Sequence, residues 1–470
     1  MLTLSSIGQS NVVNPFGANQ FVSTWNTSNT STGSSTATQI KLPLISGGTY
    51  NFVVEWGDGT SDTITTNFSA ATTHTYAVAG IYQIKITGTC YGWQFNLTGD
   101  RLKILSIEKW GNAFRLGNGS AYFYGCENLE LQQVDDVLDL TGTTTFANMF
   151  NVCSRLTKVG RINEWNTSSI TSMVNVFTNA YNFDDNIGAW DVANVNSMAG
   201  MFNVTVPISV GRGRFNNGGS DTIKNWNTAN VTSLQTTFQN QIKFNQEVGL
   251  WNTTKNTSLL GTFSVSSTFG VFNNAGSSSI GSWNTSLVNN MQQAFSNQPF
   301  FNQNIGSWNT ANVTNLSYMF NNNWAIGVFN NGGSSTINSW NTAKVTTIQQ
   351  MFNFQSFFNQ PINSWNTSLV NTMSDLFYSA TAFNQLINNW NVSLVTTFQS
   401  VGYGFMANKT YLDYSSANYD ALLIGWASRP VLANKSINFG TIKYTSAATA
   451  ARAILTSAPN NWTIIDGGLV

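Results

Sequence analysis

Trp308-Asn309-Thr310-Ala311-Asn312-Val313-Thr314-Asn315-Leu316-Ser317-Tyr318-Met319-Phe320 is the stretch that decides the fold, because phrases of this form recur along the chain. They begin at nine tryptophans that lie 25 to 36 residues apart: Trp165, Trp190, Trp226, Trp251, Trp283, Trp308, Trp340, Trp365 and Trp390. A repeat with a period of this size is typical of proteins built from stacked units, each of which buries its apolar side against its neighbours.

Apolar residues occupy fixed places within each phrase. After the tryptophan, a valine or isoleucine usually stands at the fifth position, a methionine or leucine at the eighth and a phenylalanine at the twelfth. This spacing fits neither one helix nor an alternating strand, so it predicts a coil that turns several corners and points one residue inward at each. We expect the nine tryptophans to form one internal ladder. We also expect residues 313–320, which lack Gly and Pro, to form a strand that pairs in parallel with the next coil.

The phrase W-N-T-x-x-V-T-x-M-x-x-M-F, followed by F-N-Q and I-x-x-W, resembles the BspA-type surface-protein repeat. The resemblance covers about residues 100–402 and implies a mainly β fold, a right-handed parallel solenoid of the leucine-rich-repeat type with about eleven coils. Repeats of this type occur in bacterial surface lipoproteins and adhesins and in virion proteins of phages. The chain departs from the pattern by insertions of seven to eleven residues in some coils.

Residues 21–99 are predicted to form an all-β module. Its central phrases are Val53-Val54-Glu55-Trp56-Gly57-Asp58-Gly59-Thr60 and His74-Thr75-Tyr76, with Gly80-Ile81-Tyr82 a few residues on. These phrases resemble the PKD domain, which implies an immunoglobulin-like β-sandwich that acts as a spacer or adhesion module without catalysis. Strands are expected near residues 21–25, 38–42, 50–56, 80–86 and 93–97. Residues 1–20 are predicted to be an extended N-terminal arm.

Residues 403–470 differ in pattern from the repeats. Ser415 to Ala427 and Ser446 to Thr456 are predicted helices, and strands are expected at 436–439 and 462–465. A small α+β domain here would cover the open edge of the last coil, which would otherwise promote aggregation.

Composition limits the chemistry of the protein. Charged residues make up 9% of the chain, and twenty basic residues balance twenty acidic ones, so a nucleic-acid-binding face is not expected. His74 is the only histidine, and the three cysteines (Cys90, Cys126 and Cys153) lack the spacing of a zinc site. Cys126 and Cys153 are expected to lie on adjacent coils, with two buried thiols favoured over a disulfide. The sequence therefore predicts no catalytic residues, no metal and no cofactor.

The leading hypothesis is a non-enzymatic virion surface protein of a phage, a fibre, spike or capsid decoration that attaches to a host surface protein or glycan. Residues 1–20 contain no Lys or Arg and no continuous apolar core, so no secretory signal is predicted, and no membrane span is expected. The expected partners are other virion proteins, or further copies of the chain, and the host ligand. The alternatives are a bacterial cell-surface adhesin and a purely structural virion cement protein.

Binding is predicted at three inserted loops that lie 57 residues apart and share the pattern Phe-Asn-Asn-(Gly/Ala)-Gly-Ser. Side-chain amides both donate and accept hydrogen bonds, so they suit sugar hydroxyls, and loops on a rigid scaffold often carry binding functions. The candidate binding residues are Asn216, Asn217, Asn273, Asn274, Asn330 and Asn331. The alternative is that these asparagines only close the turns of a surface bulge.

Overall fold

The computed structural model describes residues 19–205, 213–323 and 325–470. Eight strands lie in the first quarter of the chain: β1 (Gln20–Asn26), β2 (Gln39–Lys41), β3 (Leu44–Glu55), β4 (Ser61–Ile64), β5 (Thr73–Thr75), β6 (Ile81–Trp93), β7 (Ile104–Lys109) and β8 (Phe114–Arg115). The main sheet has the order β4-β3-β6-β1-β7 with antiparallel neighbours, and β8 joins β6 in parallel. Strands β2 and β5 form a separate antiparallel pair.

The strands form where apolar and polar residues alternate. In β3 the inward residues Tyr50, Phe52 and Val54 are buried while their neighbours are exposed. The strand expected at 93–97 is wrong, because β6 ends at Trp93 and the backbone turns through left-handed conformations at Asn96 and Leu97. Strands β7 and β8, which lie beyond residue 99, belong to the same sheet. The expected arm at 1–20 lies almost wholly outside the described residues.

The predicted right-handed parallel solenoid of the leucine-rich-repeat type is wrong. Between β8 and residue 402, no described residue belongs to an extended strand, and the five strands β4-β3-β6-β1-β7 of the main sheet pair antiparallel. Within the expected strand at 313–320, only Asn315 forms β-bridges. It makes one isolated parallel bridge to Asn290 and one to Thr347.

Left-handed backbone explains why no strand forms there. Non-glycine residues with φ between 50° and 61° recur ten residues after the tryptophans, for example at Asn175, Gln293, Tyr318 and Gln350. A left-handed residue reverses the direction of the chain, so an extended segment cannot continue through it. The repeats are instead coils made of successive tight turns, such as those closed by Val313 N–H to Thr310 C=O and Trp308 N–H to Ile305 C=O.

Two ladders of phenylalanine rings run through the stacked coils. In the first, ten rings stack with centroids 5.5 to 5.9 Å apart, from Phe123 to Phe377. In the second, rings from Phe183 to Phe383 follow one another at 5.9 to 6.1 Å. The inserted loops contribute Phe215, Phe272 and Phe329 to this second ladder. One continuous apolar core therefore connects the coils with the N-terminal sheet.

The C-terminal elements are helix α1 (Ser416–Ala427), strand β9 (Ser436–Asn438), helix α2 (Thr449–Thr456) and strand β10 (Thr463–Ile465). They confirm the helices and strands that the sequence predicts there, although Ser446–Ala448 form a 3-10 turn ahead of α2. Strands β9 and β10 pair in parallel. The Trp426 indole of α1 donates a hydrogen bond to Ile387 C=O, so the helix covers the last regular coil. Among the described residues, no helix has the length and apolar character needed to span a membrane.

Candidate functional site

The nine tryptophans lie inside the coils. All are buried, and stacked pairs occur at 5.7 to 6.4 Å, as between Trp226 and Trp251 or Trp365 and Trp390. Seven of the indole N–H groups donate to the carbonyl of an apolar residue in the preceding coil, as Trp308 does to Ile280 at 3.0 Å. These contacts tie each coil to the one before it, so the tryptophans act in packing.

The first asparagine of each predicted pair belongs to a hydrogen-bonded ladder that runs along the stack. The side-chain oxygen of Asn273 accepts from the backbone N–H of Asn302 at 3.1 Å, and that of Asn302 accepts from Asn330 N–H at 2.7 Å. The same contact repeats at each coil from Asp184 to Ser415. Asn216, Asn273 and Asn330 are therefore bonded within the fold, in series with asparagines of the coils that have no insertion.

The second asparagine of each pair is fully buried, at 0% exposure in Asn217, Asn274 and Asn331. Its oxygen accepts a backbone N–H of the preceding coil, at 2.9 Å for Asn331 and Ile305. Its amide N–H donates to a carbonyl of its own loop, at 2.7 Å to Ser334. The three residues have left-handed φ angles of 51° to 56°, which asparagine tolerates better than most residues. The structure gives all six asparagines internal partners, and their binding of a ligand stays a prediction.

A groove lies beside the loops instead of at the asparagines. It has a volume of about 370 Å³ and is lined by Ser278, Gly281, Asn304, Gly306, Ser307, Thr336 and Ser339. Two 3-10 helices, Ser278–Ser282 and Ser335–Ser339, form its sides, and each belongs to a coil with an insertion. The plain coil between them supplies residues 304–307. We call this site the loop groove.

Hydroxyl groups dominate the loop groove, and no charged residue lines it. Ser307 Oγ donates to Gly281 C=O at 2.6 Å, and Thr336 Oγ1 donates to the amide oxygen of Asn304 at 3.1 Å. Both hydroxyl oxygens keep lone pairs that can accept from a ligand. In the preceding plain coil the place of Asn304 is taken by Glu247, and hydrogen bonds from Ser277 and Ser279 lower the pKa of that carboxyl group. The equivalent place in the preceding plain coil is therefore charged, whereas the loop groove is not.

Sequence reasoning missed the loop groove because its lining residues carry no motif. The available signal was the alternation of coils with and without insertions, since a short coil between two longer ones leaves a depression. Ser278, Ser307, Thr336 and Ser339 are exposed, whereas the asparagines chosen by their chemistry are internally bonded.

The N-terminal module contains the only histidine. His74 lies 2.8 Å from Asp58, its ring stacks on Trp56, and Asp58 also accepts two hydrogen bonds from Thr60. Burial would raise the pKa of Asp58, but the hydrogen bonds from Thr60 and His74 prevail and lower it to about 2. The carboxylate therefore closes the turn between Asp58 and Thr60.

The thiols and carboxylates offer no metal site in the part of the chain that the structure describes, where no three His, Cys, Asp or Glu residues come together. The cysteines are free and buried, and burial raises the pKa of each thiol. Cys153 Sγ lies 3.1 Å from Phe123 C=O, so the expected pair of buried thiols is confirmed.

Comparison with known proteins adds a family. The model of the family described as "Mycoplasma protein of unknown function, DUF285" matches residues 118–216, 264–332 and 327–414, which together exceed half of the chain. The matched segments are the coils. No curated protein and no solved structure gives a significant match.

Proposed function

We propose, from the premise that this chain belongs to the DUF285 family, that it is a non-enzymatic attachment protein that binds surface glycans through its coils. The BspA-type and PKD-like resemblances of the sequence support this proposal, because both imply modules of surface or adhesion proteins. Its location is the surface of a phage virion, and its partners are a host glycan or surface protein together with other virion proteins.

The loop groove is the observation that carries the proposal. It is open to solvent, it is lined by hydroxyl, amide and glycine groups, and its sides are two short helices fixed on packed coils. Sugars present many hydroxyl groups and no charge in their simplest form, so a rigid uncharged surface of donors and acceptors complements them. Because the lining groups are held by internal hydrogen bonds, little conformational entropy is lost on binding.

Blocking the loop groove tests the proposal. Ser307→Trp places a large ring in the groove at an exposed position, so the coil stays intact while attachment to host cells or isolated surface glycan falls. Ser335→Trp is the matched control, because Ser335 is an exposed serine in one of the two helices at the sides of the groove but does not itself line the groove. Equal attachment by both variants and the unmodified protein would contradict glycan binding at this site.

Antibody labelling seen by electron microscopy tests the location. Label on phage particles supports the virion, and label on bacterial cells alone would replace it with a cell-surface adhesin. Label on particles whose attachment is unaffected by removal of the protein would indicate a structural cement protein.

A further inference from the structure

A second groove of the coils is lined by other residues than the loop groove. Its volume is about 140 Å³, roughly ten times the space that one water molecule needs. Its lining residues come from four successive coils: Gln239, Ser264, Val265, Ser266, Gln293, Ser296, Asn297, Tyr318, Asn321 and Asn323. We call it the amide groove. It follows the stack, along which the neighbouring phenylalanine rings are 5.6 to 5.9 Å apart, so it suits a linear oligomer.

Most polar groups that line the amide groove are occupied by the protein. The Asn297 amide donates to Val265 C=O at 2.6 Å and accepts from Asn323 N–H at 2.8 Å. Asn321 donates to Asn323 and accepts from the buried Asn353. These bonds hold Asn297, Asn321 and Asn323 in a single arrangement.

Three half-buried side chains of the groove make no side-chain hydrogen bond to any residue that the structure describes: Gln239, Gln293 and Tyr318. They supply two amides and a phenol on three different coils. The groove therefore holds unused donors and acceptors at fixed positions.

Tyr318 occupies a position that disfavours its side chain. Its φ angle is 61°, and the equivalent residues of other coils include Gly200 (65°), Thr236 (52°), Gln293 (57°) and Asp375 (55°). Glycine adopts this conformation freely and a residue with a larger side chain adopts it less readily, so the strain belongs to this position in each coil. Burial and the charge of Asp375 raise the pKa of Tyr318, so the phenol is neutral at physiological pH.

We infer that the amide groove binds an oligosaccharide of N-acetylated amino sugars. Gln239 and Gln293 can pair with the acetamido N–H and C=O, since a carboxamide both donates and accepts. The ring of Tyr318 offers a flat apolar surface and a hydroxyl group to a sugar ring. This site goes beyond the proposed function, because it shares no lining residue with the loop groove.

Titration calorimetry of the full chain with two trisaccharides of the same β-1,4 linkage tests the inference. The trimer of N-acetylglucosamine should bind at least tenfold more tightly than the trimer of glucose, and saturation-transfer NMR should show contact at the acetamido methyl group. Equal binding of the two trimers, or no binding of the acetylated one, would overturn it.

Variants separate a binding role of Tyr318 from a role in folding. Tyr318→Gly should weaken binding of the acetylated trimer at least tenfold, while its melting temperature stays equal or rises because the backbone strain is removed. Gln350→Gly is the control: Gln350 is the equivalent residue of the next coil, with φ of 50°, and does not line the groove. Wild-type affinity in Tyr318→Gly would overturn the assignment.

Ser307→Trp connects this test with that of the proposed function. The variant should retain full affinity for the acetylated trimer, because Ser307 lines only the loop groove. Loss of host attachment with retained trimer binding would leave both conclusions standing. If this variant retains both attachment and trimer binding, glycan binding at the loop groove is contradicted and the amide groove is not. If the variant loses trimer binding, the conclusion that the two sites are separate is contradicted.

Discussion

Asn331→Ala tests whether the loop asparagines serve folding. The substitution removes the oxygen that accepts Ile305 N–H at 2.9 Å and the N–H that donates to Ser334 C=O at 2.7 Å. Each backbone group left without a partner costs about 1–3 kcal/mol, and alanine at a left-handed φ adds roughly 1–2 kcal/mol. We therefore expect the free energy of unfolding to fall by at least about 3 kcal/mol. Urea denaturation followed by tryptophan fluorescence measures this change.

Two further variants divide that loss into its parts. Asn331→Gly removes the same hydrogen bonds without the strain, so it should be the more stable of the two. Asn312→Ala is the control, since Asn312 is exposed and its amide donates to Ser286 C=O and accepts from Lys344 Nζ at the surface. This substitution should change stability by less than about 1 kcal/mol. Hydrogen exchange of the Ile305 amide should accelerate in Asn331→Ala. A loss below about 1 kcal/mol in Asn331→Ala would refute this reasoning and favour a role of Asn331 in ligand binding.

Three other outcomes are expected. Phe320→Ala should lower the free energy of unfolding by about 3–5 kcal/mol in urea denaturation, because the buried ring stacks on a ring of each adjacent coil. Phe300→Ala is the control: its ring is 58% exposed, so the loss should be about 0.5 kcal/mol or less. Burial lowers the pKa of Lys409 to about 7, so between about pH 7 and 10 the unfolded chain binds a proton that the folded chain has released. Thermal stability should therefore rise with pH across that window, and the rise should be smaller in Lys409→Met; equal slopes would contradict it. A chain that ends at residue 402 should aggregate in size-exclusion chromatography, because removal of 403–470 uncovers the last coil; a soluble monomer would show that this segment is dispensable.

Elements whose shape follows from local residue chemistry could be predicted from the sequence. Alternation in Tyr50 to Val54 predicts β3, and the Ser415 side chain, which accepts from Asn418 N–H, caps α1 where a helix was expected. The parallel strand at 313–320 could not be excluded, because left-handed φ at Gln293 or Tyr318 is invisible when the residue is neither Gly nor Asn. Gly200, Gly261 and Asn175 at the equivalent position were the available signal.

The candidate site could not be predicted from residue type, because asparagine can either bind a ligand or form hydrogen bonds within the fold. The amide of asparagine suits a sugar, and it suits a backbone N–H of the next coil equally. Asn245, Asn302 and Asn359 stand at the same place in coils without an insertion, which indicates that the first asparagine of each pair belongs to the ladder and not to the loop. The second asparagine is buried by tertiary contacts that no local pattern reveals.

Recurrence itself has a physical meaning in a stacked protein. A ladder residue recurs because each copy needs its neighbours as partners, so repetition indicates a role in stability. A residue in a column that varies from coil to coil does not depend on such partners and is free to make another contact. Tyr318 lies in a column of this kind, which also holds Gly200, Thr236, Gln293 and Asp375, and its hydroxyl group has no hydrogen bond within the described residues. Binding sites of such proteins are therefore better sought where a column varies than where it is most regular.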